Sequence, residues 1–306
     1  MSGAKTVLVT GATGLVGRRL VASLAEAGRA VRIVSRSPEP AGFAAGVEVA
    51  TWNGRHLAPE ALFRVGALVH LAGEPVFGGP LTDARKRRIR ASRIDSTEAL
   101  VASLAALAAS DRPECLVCAS AVGFYGSRGD AELDEAAAPG EGFLAGVCVA
   151  WERAALAAAD LGIRVVCLRI GIVLAREGGA LPRMALPFRW GLGGRLGDGR
   201  QWFPWIHVED VVALVSAALG DPRWSGPVNA VAPGIVTNAE FTRALGDALG
   251  RPTLLPVPAV ALRFALGELS GELLGSRRAL PRAAQQHGFR FAYPDLAPAL
   301  REALRS

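Results

Sequence analysis

Glycines recur at short spacing near the start of the 306-residue chain, within Gly11-Ala12-Thr13-Gly14-Leu15-Val16-Gly17. The segment follows an apolar run over 5–10 that is typical of a β-strand, and it opens a helical pattern. Glycine lets the backbone turn sharply and approach a pyrophosphate, and the helix N-terminus supplies free N–H groups and partial positive charge. The alternative is a tight turn without a ligand. We predict a dinucleotide site with contacts from Gly11, Thr13, Gly14, Leu15, Val16 and Gly17.

The end of the second predicted strand indicates which dinucleotide binds. NAD-binding proteins usually place a carboxylate about 20 residues beyond the glycines to hold the ribose hydroxyls. This chain has Ser35 and Arg36 there instead. Arginine pairs with a 2′-phosphate and serine adds a hydrogen bond, so NADP(H) is favoured over NAD(H). The alternative is an exposed loop arginine without a ligand.

Strand and helix patterns alternate around these residues, which predicts an α/β fold with a Rossmann-type, doubly wound parallel sheet. The predicted strands cover 5–10, 31–35, 46–50, 66–71, 114–120, 163–169 and 228–231, and the helices 15–27, 82–109, 142–161, 208–219 and 237–249. A loop-rich segment over 175–205 indicates a binding segment or a lid. We therefore predict an NADP-binding Rossmann domain over 1–174 and 206–232, and a small, mostly helical C-terminal substrate lobe over 175–205 and 233–306.

Composition narrows the classes of partner. The net charge is +6 and the pI about 9.7, which favours a phosphate-bearing partner. The densest basic stretch, over 85–93, lies in a helical pattern and is either a solvated face or a contact to a cofactor phosphate. It lacks the interleaved aromatics of a nucleic-acid site, so we predict no nucleic acid. No apolar run reaches roughly 18 residues and no signal peptide is recognisable, which predicts a cytoplasmic protein without membrane partners. Cys115 and Cys118 have the spacing of a redox pair or of half a zinc site, but they lie in an apolar strand pattern and a zinc site would need two more ligands, so we predict buried cysteines and no metal.

The glycine loop and the run from Ser120 to Gly126 together resemble the extended short-chain dehydrogenase/reductase superfamily. Further segments resemble its YfcH-like branch of sugar-nucleotide epimerases, also described as atypical short-chain dehydrogenases. These segments are Ser92-Arg93-Ile94, Trp151-Glu152, 169–174, 199–207, 229–233, 280–282 and 288–294.

The resemblance implies a Rossmann domain with NADP(H) bound and further cofactor contacts along the chain. These contacts fall at Leu71, Ala72, Gly73, Arg93 and Val173. The superfamily often dimerises through the helices predicted here at 82–109 and 142–161, so a homodimer is implied by analogy.

The usual catalytic pair of the superfamily is missing. That chemistry uses a tyrosine and, four residues on, a lysine that lowers the pKa of the tyrosine. Aligned on Glu152, these positions fall on Leu144 and Cys148. The serine position falls on Ala121, one residue after Ser120.

Other residues are candidates for the proton transfer. Tyr125 or Ser120 could donate a hydrogen bond to a carbonyl oxygen, and His207 could carry a proton or have a structural role. Glu74, after the fourth strand, is a further acid near the substrate. Cys148 is either a thiol that faces the cofactor or a buried core cysteine.

Gln201, Trp202 and Trp205 are predicted substrate contacts, forming an apolar wall with one amide for a ring-shaped substrate. The alternative is a packed lid. Phe203-Pro204 stand where extended epimerases usually carry an arginine–aspartate pair, so the resemblance does not extend to phosphate binding there. We expect an NADP(H)-dependent oxidoreductase or epimerase acting on a small carbonyl or hydroxyl compound. The alternative is a non-catalytic NADP(H)-binding protein that senses redox state or regulates a partner.

Overall fold

A parallel sheet of seven strands forms the centre of the computed structural model, which describes residues 5–305. The strands of the chain are β1 (Thr6–Thr10), β2 (Val31–Ser35), β3 (Glu48–Thr51), β4 (Val65–His70), β5 (Cys115–Ala121), β6 (Glu132–Leu133), β7 (Arg164–Ile170), β8 (Ile172–Leu174), β9 (Trp202–Phe203), β10 (Trp205–His207), β11 (Gly226–Ala230), β12 (Val236–Thr237) and β13 (Arg278–Ala279). The α-helices are α1 (Leu15–Glu26), α2 (Asp83–Arg90), α3 (Ser96–Ala105), α4 (Phe143–Leu156), α5 (Leu181–Arg189), α6 (Val208–Gly220), α7 (Asn238–Leu249), α8 (Ala259–Leu266), α9 (Ser270–Leu274), α10 (Arg282–Gln286) and α11 (Leu296–Leu304).

The strand order in the central sheet is β11-β7-β5-β4-β1-β2-β3, and all neighbours in it are parallel. The order reverses between β1 and β4, so their connections leave in opposite directions and open a crevice at the carboxyl ends of the strands. The predicted Rossmann-type fold class is confirmed.

Each face of the sheet is covered by helices, which is why its strands are continuous apolar runs. Val7 and Val9 of β1 pack in one buried cluster with residues of α1 and α6. Leu8, which points the other way because side chains alternate along a strand, packs with residues of α3 and α4. The dinucleotide crevice is thus built on a rigid, two-sided core.

The single helix predicted over 82–109 is divided. α2 is capped by Thr82, whose Oγ1 accepts from the Arg85 N–H at 3.3 Å. One π-helical turn over Ala91–Asp95 then precedes α3. The Thr97 hydroxyl donates to the Arg93 carbonyl, and π-helical turns of this kind frequently lie at functional sites. The turn presents Ser92 and Arg93 to the loop that follows β4.

A third buried cluster lies outside the sheet. It joins α5, α7 and α11 through residues such as Phe188, Phe241 and Leu300. The short antiparallel pair β9–β12 lies beside it. The predicted division into a Rossmann domain and a substrate lobe stays a prediction.

Candidate functional site

Gly11 and Gly17 of the loop after β1 lie where a side chain would meet backbone atoms. A Cβ on Gly11, which has φ +67°, would lie 2.6 Å from the Leu71 carbonyl carbon and 2.7 Å from the Ala72 nitrogen. A Cβ on Gly17 would lie 2.7 Å from the Ala12 Cα and meet the Gly11 carbonyl oxygen. The N-cap of α1 is Gly14, which has no side chain to accept from the first turn. The N–H groups of that turn therefore remain available to an anion.

Thr13, Leu15 and Val16 complete the predicted loop contacts. Thr13 is exposed at the turn, and Leu15 and Val16 are half-buried at the start of α1. A Cβ on Gly179 would lie 3.0 Å from the Leu15 side chain and 3.6 Å from the carbonyl oxygen of Val173. The segment after β8, over 175–180, therefore lies against the start of α1, and Gly179 in it lies near the Val173 carbonyl.

Ser35 and Arg36 follow the carboxyl end of β2. The Ser35 Oγ accepts from the Ser37 N–H at 3.1 Å, and the Arg36 side chain is exposed. Sequence reasoning missed Arg18, one turn into α1. Its guanidinium donates to the Thr13 carbonyl at 3.1 Å and to the Ala41 carbonyl at 2.9 Å. Arg18 therefore ties the glycine loop to the segment between β2 and β3, and its position just after the last glycine was the available signal.

The loop after β4 brings Leu71, Ala72 and Gly73 beside the glycine loop, since Leu71 donates to the Thr10 carbonyl at 3.2 Å. The Arg93 Nη1 donates to the Glu74 carbonyl at 2.9 Å, and its guanidinium carbon would lie 3.2 Å from a Cβ on Gly73. Burial lowers the pKa of Arg93, which nevertheless stays charged at neutral pH because arginine starts at 12.5. The backbone of Glu74 is fixed by this contact, and its side chain is half-buried.

Ser120, at the end of β5, is buried against α4. Its Oγ donates to the Glu152 Oε1 at 2.6 Å. The same carboxylate forms a bidentate pair with Arg169, with Nε to Oε1 at 2.9 Å and Nη2 to Oε2 at 2.8 Å. Burial alone would lower the pKa of Arg169, but the hydrogen bonds and charge of Glu152 raise it above its ordinary value. The Ser120 proton is therefore directed at an acceptor within the protein.

Tyr125 is 0% exposed. Its hydroxyl lies 2.7 Å from the Asn229 Oδ1 and 2.9 Å from the Asp134 carbonyl oxygen, and it accepts from the Arg169 Nη1 at 2.9 Å. Burial raises the pKa of Tyr125, so the phenol is protonated at neutral pH. Its role as a proton donor, like that of Ser120, stays a prediction.

Leu144 and Cys148 lie on the first two turns of α4, beside the loop after β5. A Cβ on Gly123 would lie 3.8 Å from the Cys148 Sγ and 4.0 Å from the Leu144 Cβ. Burial raises the pKa of Cys148 to about 11, so at neutral pH it is a thiol. In this state it is a poor nucleophile and a poor proton acceptor.

His207 caps α6. Its Nδ1 accepts from the Glu209 N–H at 3.3 Å, and its ring lies 3.9 Å from the ring of Tyr293. Burial lowers the pKa of His207 to about 4, so the imidazole is neutral at pH 7. Next to it, the Asp210 carboxylate accepts from the backbone N–H groups of Ala292 and Tyr293. Both residues therefore anchor the C-terminal segment, and the proton-carrier role of His207 stays a prediction.

The three residues predicted to contact substrate have partners in the protein. The Gln201 amide donates to the Leu196 carbonyl at 3.0 Å, and the Trp205 Nε1 to the Gly234 carbonyl at 2.9 Å. Trp202 is half-buried under Arg278, whose guanidinium carbon lies 4.7 Å from the ring centroid. Their substrate role stays a prediction.

The reversed strand order and the glycine cradle define a Rossmann-type nucleotide-binding protein. The model of the NAD dependent epimerase/dehydratase family matches residues 7–231, and the chain belongs to this family. A domain of unknown function (DUF1731) matches residues 257–303. The predicted resemblance to extended short-chain dehydrogenases is confirmed.

Relatives of the chain match it over nearly its whole length. The epimerase family protein Mb2239 of Mycobacterium bovis is 43% identical over 298 residues, which cover 96% of each chain. The crystal structure of human epimerase family protein SDR39U1 (isoform 2) with NADPH has a TM-score of 0.86 and 33% identity, covering 98% of this chain and 99% of the human one. A nucleoside-diphosphate sugar epimerase from Corynebacterium glutamicum has a TM-score of 0.80 and 36% identity, covering 99% of this chain and 58% of that one.

The sequence also predicted the absence of a membrane partner, a cytoplasmic location and a homodimer. Within residues 5–305, none of the helices has the length and apolar character needed to span a bilayer. Cytoplasmic location and a homodimer stay predictions.

Proposed function

We propose that this protein is an NADP(H)-dependent oxidoreductase or epimerase that acts on a small carbonyl or hydroxyl compound. The observation that carries the cofactor part of the proposal is the cradle of Gly11 and Gly17 at the β1–β4 crevice, where any side chain would meet backbone atoms. A loop closed to side chains but open to a ligand fits a pyrophosphate held by the free N–H groups of α1. The human relative solved with NADPH supports the same cofactor here.

The residues after β2 favour the phosphorylated dinucleotide. Ser35 is the last residue of β2 and Arg36 is exposed directly after it, and neither side chain is a carboxylate that would hold the ribose hydroxyls. Arg18 lies at the same edge and adds a second positive charge. Two guanidinium groups and a hydroxyl fit a 2′-phosphate, which accepts charge-assisted hydrogen bonds.

Bound NADP(H) supplies or accepts the hydride, and the chain orients the reactants. The first turn of α1 would hold the pyrophosphate, and the segment over 175–180 lies against the start of that helix. Ser120 and Tyr125 are the proposed donors to the substrate oxygen, and each must first release the protein acceptor that it now holds. His207 is the third proposed carrier, with its neutral ring able to donate through Nε2.

Arg36→Ala tests the cofactor preference. We expect the Kd for NADPH to rise at least about tenfold, since one charge-assisted contact to phosphate is worth roughly 1.5–3 kcal/mol, while the Kd for NADH stays the same. Isothermal titration calorimetry measures both. Arg29→Ala is the matched control, because Arg29 is also exposed but precedes β2 at the opposite end of the strand. Equal weakening of NADPH and NADH binding by Arg36→Ala would contradict the preference.

A second function is non-catalytic binding of NADP(H) by a redox-sensing or regulatory protein. Specific observations favour it. Ser120 and Tyr125 are buried with their protons directed at protein acceptors, and Leu144 and Cys148 stand at the positions of the usual catalytic pair. Transfer of a hydride to a metabolite distinguishes the two functions.

A further inference from the structure

Large apolar side chains are exposed on two segments beside the crevice. Within residues 5–305, seven such side chains are at least 55% exposed, and all of them except Phe63 lie in segments 181–197 and 251–266. We call these six residues the α5–α8 surface: Leu186, Trp190, Leu192, Leu254, Val260 and Phe264. Helix α8 buries none of its residues, and its Phe264 is 95% exposed. Exposed apolar side chains concentrated in this way are typical of a binding surface.

Backbone hydrogen bonds hold the two segments side by side. The Val257 N–H donates to the Arg195 carbonyl at 2.8 Å, and the Gly197 N–H donates to the Val257 carbonyl at 2.9 Å. The segments run parallel at this point, so Leu192 and Leu254, which precede it, lie at the same end of the contact. Helix α8 begins just beyond the other end. The exposed apolar residues of both segments therefore belong to one surface.

The α5–α8 surface borders the crevice at the carboxyl ends of the strands. Arg183 of α5 donates from Nη1 to the Phe77 carbonyl, in the loop after β4, at 2.7 Å. Trp190 lies on the same side of α5 as Arg183, because it follows that residue by two helical turns. Beyond the end of α8, Glu268 pairs with Lys86 of α2. Both parts of the surface are thus tied to elements that follow β4 at the crevice.

The same two segments carry positive charge only. Segments 181–197 and 251–266 contain five arginines and no aspartate or glutamate. The arginines are Arg183, Arg189, Arg195, Arg251 and Arg263, and all are exposed. Among the ion pairs of residues 5–305, none includes any of these five. A second copy of the chain, docked through the same surface, would bring like charges together, whereas an anionic ligand would be attracted.

We infer that the substrate is an anion with a long hydrocarbon chain, which packs on the α5–α8 surface while the carbonyl or hydroxyl group enters the crevice. The inference rests on the proposed function and adds the chemical class of the substrate. Each methylene that is fully buried strengthens binding roughly fourfold, so exposed rings such as those of Trp190 and Phe264 give a chain much to gain. The unpaired arginines attract the negative charge.

Straight-chain fatty acids test the inference, because they differ only in the length of the chain. Hexanoate, octanoate and decanoate are titrated calorimetrically, below their micelle concentrations, into the protein loaded with NADPH. We expect the Kd to fall at least about tenfold from hexanoate to decanoate, since four fully buried methylenes would lower it roughly two hundredfold and one side of the chain stays in water. Decyltrimethylammonium, a cation with a chain of similar length, should bind at least about tenfold more weakly than decanoate.

A double variant, Trp190→Ser with Phe264→Ser, identifies where the chain binds. Its two rings are 76% and 95% exposed, so their loss leaves the core unchanged. We expect the difference in Kd between hexanoate and decanoate to shrink to about threefold or less. Phe63→Ser is the matched control and should keep the full difference, because Phe63 is 68% exposed but precedes β4, at the opposite edge of the sheet from the crevice. The Kd for NADPH should change less than threefold in both proteins.

Three results overturn the inference while leaving the proposed function standing. The first is an equal Kd for hexanoate and decanoate in the wild type, a measurement that needs no variant to fold; sedimentation of that protein with phosphatidylglycerol vesicles would then assign the surface to a membrane. The second is an equal loss of chain-length dependence in the double variant and in Phe63→Ser. The third is a wild-type dimer that the double variant dissociates in analytical ultracentrifugation, which would assign the surface to a second copy. A wild-type protein that fails to bind NADPH overturns the proposed function, and the inference with it.

Discussion

The Tyr125 hydroxyl joins three parts of the molecule at one buried point. It contacts Asn229 of β11, Arg169 of β7 and the carbonyl of Asp134. Tyr125→Phe removes the hydroxyl and leaves these groups without one partner each. We expect the free energy of unfolding to fall by about 1–3 kcal/mol, the cost of unsatisfied buried groups, as measured by urea denaturation.

Tyr293→Phe serves as the control for Tyr125→Phe, because it removes a phenol hydroxyl from a half-buried ring outside this network. An unchanged free energy of unfolding in Tyr125→Phe would contradict the network role. Once a substrate is known, its turnover by the same variant tests the donor role. Intact turnover would show that Tyr125 is not the donor.

The burial of His70 predicts that the free energy of unfolding depends on pH. It is 0% exposed, its Nδ1 lies 2.7 Å from the Thr10 Oγ1, and burial lowers its pKa from 6.5 to about 4. As the pH falls, His70 therefore takes up a proton in the unfolded chain at a higher pH than in the folded protein. Its contribution to the free energy of unfolding is fully present above pH 6.5 and is lost as the pH falls towards 4. Integrated over this window, the loss from His70 is roughly 3 kcal/mol. His207 acts in the same direction.

The measurement is the free energy of unfolding between pH 7 and 4 for the wild type and for His70→Gln. We expect the variant to lose less stability across this range, whatever its stability at pH 7. His56→Gln, which removes an exposed imidazole, is the control. Identical pH slopes for the wild type and His70→Gln would contradict the assignment.

Single residues differ in how far the sequence determines their roles. Gly11 and Gly17 were predictable, because their function depends on a backbone turn that is local in sequence. The partners of Ser120 and Tyr125 were not, because Glu152 and Asn229 are 32 and 104 residues away along the chain. Hydrophobic periodicity gives no information about hydrogen bonds between residues so far apart along the chain.

At the scale of elements, α4 is fixed to the sheet through one buried ion pair. Glu152 of α4 accepts from Ser120 of β5 and binds Arg169 of β7, with 7% and 5% of the two charged side chains exposed. Glu152→Gln leaves a buried guanidinium without a counterion. We expect a loss of about 3–5 kcal/mol in the free energy of unfolding.

Glu114→Gln is the matched control for Glu152→Gln. Its ion pair with Lys5 is exposed on both sides, so its loss should cost about 1 kcal/mol or less. Similar losses in the two variants, measured by urea denaturation, would contradict the claim that the buried Glu152 ion pair stabilises the fold more than the exposed Glu114 pair does.

The region around α2 and α3 contains helix boundaries that the sequence pattern did not predict. The apolar spacing predicted a helix over 82–109, and helical structure does run from Asp83 to Ala105. The π-helical turn over Ala91–Asp95 has no signature in that spacing, because Ser92 and Arg93 are placed by their contacts with Glu74 in the loop after β4. Part of the candidate site is thus set by tertiary contacts.

At the scale of the molecule, alternating strand and helix patterns were enough to predict the sheet. Helix–strand connections of this length allow few arrangements, and the right-handed crossover rule excludes most of the other strand orders. The packing of α5, α7 and α11 around Phe241 was not predictable, since glycine- and proline-rich segments carry little periodicity. The predicted substrate lobe is therefore the part of the fold about which the sequence gives the least information.

Hydride transfer is the molecular event on which the proposed function depends. The cradle at the β1–β4 crevice accounts for binding of the dinucleotide, and both proposed functions share it. They differ in whether a hydride leaves the cofactor for another molecule. A test must therefore follow that hydride.

The decisive measurement loads the protein with NADPH deuterated at C4, incubates it with a metabolite extract, and follows deuterium by mass spectrometry. Protein boiled beforehand is the control. The account predicts carbon-bound deuterium in one metabolite. Bound NADPH that keeps its deuterium in every extract would contradict the oxidoreductase form of the proposed function.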